Sequence, residues 1–302
     1  MFRIEQPEIF GFNSQEQVTA RSLIDRVSLY IQNCPEVFSS KNTSLALLTK
    51  IKNTGIFSRL DEIEARREHF PLSHAMMVTY FTANVSRQIN ALSLDRLGCF
   101  IVDEPLLVTS ALLHDIGKVI NDEDIERLGL KGIDLKPYTA CFPLTASSTL
   151  IESNDILKTI ALILSFGEDY SPFAKTTAHS IYHLVYEKDI PFERLLLMLA
   201  DFSVVNRDPT VDSQMWPRAG IVSSLVERVD LVMSRYPGAK EEYLKFYFIL
   251  EAIKSNLERA GVRFPPYTDE PDFELDREKI HFAAFNKLLN ILSVQRISIP
   301  QA

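Results

Sequence analysis

The sequence predicts an all-α protein, and three observations carry that expectation. Apolar residues recur at helical spacing, as at positions 74, 78, 81, 85 and 89 (His, Val, Phe, Val, Ile), which share one helix face. Prolines stand where helices should begin, because a first-turn residue needs no N–H, and Gly or Pro stands where they should end. No alternating stretch is long enough to predict a sheet, and no repeat or low-complexity segment interrupts the pattern.

Taken in order, Ser14-Gln15-Glu16-Gln17 has the form of a capping box and predicts a first helix that stops before Cys34-Pro35. Ser44 to Lys52 predicts a second, ended by Thr54-Gly55. The helix of His74 follows, then one begun by Pro105, a short one near Ile125, and helices around 154–165 and 173–187. Pro191 starts a strongly apolar helix that should be buried, with Asp201 at its middle. Beyond Trp216-Pro217, amphipathic helices are expected near 219–235, 239–260 and 276–293, separated by Tyr236-Pro237-Gly238 and Phe264-Pro265-Pro266.

A chain of 302 residues that is 46% hydrophobic can bury a large core. With no run of eighteen apolar residues and no leader-like N-terminus, neither a membrane span nor a signal peptide is expected. The three cysteines, Cys34, Cys99 and Cys141, lack paired spacing and read as reduced thiols, consistent with a cytoplasmic protein and against structural zinc. A net charge of −8 makes a general nucleic-acid surface an unfavoured expectation.

Chemistry concentrates at His114-Asp115-Ile116-Gly117-Lys118, which closes the apolar run of Leu106, Leu107, Val108, Ala111, Leu112 and Leu113. Burying an imidazole and a carboxylate there is costly unless a cation binds both. His74 sits on the inward face of its helix, and Asp201 lies in Leu-Ala-Asp within the apolar helix after Pro191. Neighbours on a helix are about 100° apart, so His114 and Asp115 can share one ion only beside a helix end, and Gly117 is a natural stop.

The ordered pattern His74, then His114-Asp115 within Leu-Leu-His-Asp-Ile-Gly-Lys, then Asp201, resembles the HD-domain superfamily of metal-dependent phosphohydrolases over roughly residues 60–210. The resemblance implies an HD-domain-like helical bundle with additional N- and C-terminal helices. Its parts would be an N-terminal helical extension (1–60), a metal-binding core (61–215) and a C-terminal helical region (216–302) able to pack on the core. It also implies His74, His114, Asp115 and Asp201 as ligands of one divalent transition metal, Mn, Fe, Co, Ni or Zn, with positions left for water and a substrate oxygen. The binuclear branches, including cyclic-dinucleotide phosphodiesterases, bis-nucleoside tetraphosphate hydrolases and diiron oxygenases, use further histidines, whereas Tyr138 to Gly167 contains none. A single-metal site is therefore expected.

Other residues take narrower roles. Asp115 and Lys118 are the catalytic candidates, and Lys118, Arg207 and Arg67 (with Arg66) are the candidates for holding phosphate. Asp122-Glu123-Asp124 suits the N-terminus of a helix better than a general acid. His179 and His183, four apart, read as the solvated flank of a helix whose core face is Ala178, Ile181, Tyr182 and Val185, in preference to a second metal site. The poorly patterned Leu128–Thr145 stretch is the candidate for substrate selection.

The expected function is hydrolysis of a phosphoester in a nucleotide or other small phosphorylated molecule. The alternatives are a non-catalytic regulatory module that senses a nucleotide or docks a partner, and an HD-type diiron oxygenase.

Overall fold

A computed structural model describes residues 10, 18–65, 71–142, 155–187, 189–206, 219–221 and 240–264. The fold is all-α. Its α-helices among the described residues are α1 (Ala20–Gln32), α2 (Lys41–Thr54), α3 (Arg59–Ala65), α4 (Pro71–Leu97), α5 (Glu104–Leu113), α6 (Asp122–Arg127), α7 (Lys136–Thr139), α8 (Asp155–Leu164), α9 (Ser171–Thr177), α10 (Ile181–Tyr186), α11 (Phe192–Ser203) and α12 (Lys240–Arg259). A small antiparallel ribbon joins β1 (Val204–Asn206) to β2 (Ala219–Ile221), with Val205 opposite Gly220. Three-residue strands leave no period-2 signature to read. No described helix is long and apolar enough to cross a membrane.

Local chemistry sets the helix ends. Thr19 and Ser22 form the capping box that opens α1. The Ser14–Gln17 capping pattern lies outside the described residues, as do the helix expected near 276–293 and most of that near 219–235, whose first three positions form β2. Gly55, at φ 75°, closes α2 in the left-handed conformation that glycine adopts without a Cβ clash. Asp103 accepts from the Leu106 N–H at the start of α5, with Pro105 in its first turn. Asn121 and Asp124 cap α6 reciprocally.

The acidic run is thus structural. Asp124 is buried and pairs with Arg59 and Arg127, tying α3 to α6. Burial alone would raise its carboxyl, yet the hydrogen bonds from Arg59 and Arg127 hold it down at about 2.

One continuous hydrophobic core runs from Phe10 to Val262. At its centre α4, 27 residues long, packs against α5. The two form an antiparallel hairpin. Asn90, two turns before the end of α4, donates to the Val102 carbonyl (2.9 Å) and accepts from the Ile101 and Val102 N–H groups (3.2 and 3.0 Å). The reversal brings His74, at the start of α4, beside His114, just after α5, with ring centroids 5.2 Å apart.

Two expectations fail here. The helix expected over 173–187 is broken, because α9 ends at Thr177 and Ser180 caps a separate α10 with His183 as its capping-box partner. Asp201 lies in the last turn of α11, where its side chain keeps 26% exposure, and is neither mid-helix nor fully enclosed. The apolar run signalled burial of the helix but not where the helix would stop.

Candidate metal centre

Four of the residues singled out in the sequence converge. His74 Nε2 lies 2.8 Å from Asp201 Oδ1 and 3.7 Å from Asp115 Oδ2. His114 Nε2 lies 3.4 Å from Asp201 Oδ1 and 3.5 Å from Asp115 Oδ2. Ligand atoms of His74, His114 and Asp201 all fall within 4.8 Å of one another, a grouping that can hold a metal ion. These atoms come from the start of α4, the end of α5 and the end of α11, so the core packing of three helices brings them together.

The turn after α5 is built for this. His114 caps the helix, and Ile116–Val119 continues as a tight 3₁₀ turn. Thr159 of α8 clips that turn in place. Its hydroxyl accepts from the Gly117 N–H (2.9 Å) and lies within 3.3 Å of the His114 carbonyl and 3.0 Å of the Asp155 carbonyl. A Cβ on Gly117 would sit 1.7 Å from the Asp155 carbonyl oxygen. Gly117 was expected as a helix stop through its conformational freedom, but positive φ is found at other glycines; what the turn needs at Gly117 is space.

Hydrogen-bond arithmetic defines what the site lacks. His114 Nδ1 is 2.7 Å from the Ala111 carbonyl oxygen, which only accepts, so Nδ1 carries the proton. Nε2 is then buried, without a hydrogen-bond partner among the described residues, and faces two carboxylates. A cation in the middle satisfies all of them.

The electrostatics agree. Burial would push the Asp201 carboxyl up, but the imidazoles of His114, His179 and His74 hold it well below the usual range. Asp115 is likewise held low against burial, chiefly by Lys118 and then by His114 and His74. His114 is raised because the charges of Asp115 and Asp201 outweigh its burial, whereas burial wins at His74 and lowers it. Both carboxylates therefore stay ionised in a largely enclosed pocket.

Lys118 pairs with Asp115, and its side chain is 47% exposed. Arg66, Arg67 and Arg207 lie outside the described residues, as does the end of the Leu128–Thr145 stretch. The described part of that stretch is anchored through the Tyr138 carbonyl, 2.7 Å from His183 Nε2.

His179 is the site residue that helical spacing misplaced. It lies on the non-helical link between α9 and α10, buried, with its ring centroid 5.3 Å from that of His114 and its Nε2 3.4 Å from Asp201 Oδ2. The residue pair Ser180 and His183, a capping box across the expected helix, was the available signal for the break. His183 is also buried, not a solvated flank, and its ring nitrogens meet Ser180 and the Tyr138 carbonyl.

Comparison with family models, curated proteins and solved structures returns no match.

Proposed function

We propose that the chain is an HD-type, metal-dependent phosphohydrolase acting on a nucleotide or other small phosphorylated molecule. The observation that carries this reading is the His114 ring, whose tethered Nδ1 leaves a buried, unpartnered Nε2 facing Asp115 and Asp201. In this reading His74, His114, Asp115 and Asp201 hold one divalent transition metal, in keeping with the HD resemblance of their sequence contexts. Such an ion supplies an acidified water and charge neutralisation at a phosphoryl oxygen.

The protein groups do the rest. Asp115 orients and charges the pocket, and the half-exposed Lys118 is placed to exchange its pairing with Asp115 for a phosphate oxygen of the substrate. The partial opening at Asp201 leaves a route for water.

The test is a screen of p-nitrophenyl phosphoesters, nucleoside mono- and triphosphates and cyclic nucleotides with Mn, Co, Ni, Fe or Zn. Metal-dependent hydrolysis is expected, abolished in His114→Ala and Asp115→Ala and lowered only partially in Lys118→Ala, because solvent and salt replace part of a point charge. Tight binding of a nucleotide that is never hydrolysed would overturn the enzymatic reading in favour of a regulatory module.

A further inference from the structure

His179 shows the same arithmetic as His114. Its Nδ1 is 2.5 Å from the Thr177 carbonyl oxygen, an acceptor only, so Nδ1 donates there and Nε2 is the nitrogen left for the cluster. That Nε2 lies 3.4 Å from Asp201 Oδ2, on the carboxylate that also faces His74 and His114. A ring nitrogen tethered to a backbone carbonyl, with the other nitrogen aimed at a carboxylate-lined pocket, is the arrangement that orients histidine ligands.

His183, four residues later, supplies the contrast. Ser180 Oγ sits 2.6 Å from its Nδ1 and the Tyr138 carbonyl 2.7 Å from its Nε2, so both nitrogens are occupied. Asp201 itself is divided between two sides, with Oδ1 toward His74 and His114 and Oδ2 toward His179.

The geometry points to His179 as a further protein ligand, through Nε2, of the ion held by His74, His114, Asp115 and Asp201. The inference rests on the metal reading above and refines its ligand set by one further donor from the chain.

The test is a titration of the metal-stripped full chain with Co²⁺, followed by visible absorption and by elemental analysis. The variants are His179→Ala, the bulkier His179→Gln to guard against collapse, and His183→Gln as a control. Expected are one equivalent in the wild type, the same stoichiometry at least about ten-fold more weakly in both His179 variants, and altered Co²⁺ ligand-field bands in those variants alone. Unchanged affinity and spectrum in His179→Gln would overturn the inference, since a proton rather than the ion would then satisfy Nε2. A fall from two equivalents to one would overturn it too, making His179 the ligand of a second ion. A wild type that takes up no metal would overturn both this inference and the proposed function. One tightly bound equivalent without hydrolysis of any phosphoester would overturn only the latter.

Discussion

Replacing Gly117 by alanine should destabilise the protein by about 3–5 kcal/mol, although the change adds one methyl group. The new Cβ would stand 1.7 Å from the Asp155 carbonyl oxygen, 2.6 Å from its carbon and 2.8 Å from Thr159 Oγ1. Ordinary contact needs roughly 3.5 Å, so the turn must separate from the start of α8. Overpacking of this kind costs about 1–3 kcal/mol. Separation also weakens the Gly117 N–H to Thr159 bond and the Thr159 contact with the His114 carbonyl, each worth about 1 kcal/mol. Urea unfolding of the metal-free protein measures the sum, with Gly132→Ala as a control because nothing lies within 4 Å of a Cβ there. Metal affinity should fall with it, since His114 and Asp115 ride on the displaced turn. A Gly117→Ala protein within about 1 kcal/mol of wild type, binding metal equally well, would refute the role given to this contact.

Two further outcomes are expected. Burial first, and then the nearby Arg194 charge, lower His183 to about 3 against an ordinary value near 6.5; the unfolded chain therefore takes up the proton first, and stability should be lost as pH falls below 6.5. The full effect is about 5 kcal/mol by pH 3, so His183→Gln should flatten the slope of stability between pH 6.5 and 4.5, and equal slopes in the two proteins would count against a buried neutral ring. Stripping the metal should lower the thermal midpoint by several degrees, since an ion at about a thousand times its Kd contributes about 4 kcal/mol; calorimetry showing identical transitions with and without chelator would argue against a site joined to three core helices.

The start of α5 was readable because Pro105 is a local signal, and it stands in the first turn of that helix. The starts of α1 and α6 were read less well, since Thr19 and Asn121 are the residues that cap them. The His74, His114, Asp115 and Asp201 constellation was readable because polar groups in apolar runs need a shared partner. His179 was not, because its meaning depends on a backbone carbonyl two residues away and a carboxylate on another helix, neither of which leaves a periodic mark. Gly117 was noticed for the wrong property: sequence reveals that a side chain is missing, but only packing against Asp155 tells whether torsion or volume is at stake. The β1–β2 ribbon escaped notice because its pairing joins two three-residue segments that are distant in the chain.

The Asn90 clamp gives the hairpin two regions of unequal tolerance to changes in length. By fixing Ile101 and Val102 it isolates the Gly98–Phe100 segment, where an added residue can bulge outward without disturbing α5. On the other side of the clamp each inserted residue would advance His114 past His74 by about 1.5 Å and rotate it by about 100°. Asn90, some sixteen positions from His74, thus acts as the zero mark of a ruler along which the candidate metal centre is measured, and natural length variation in this hairpin should be confined to the segment before Ile101.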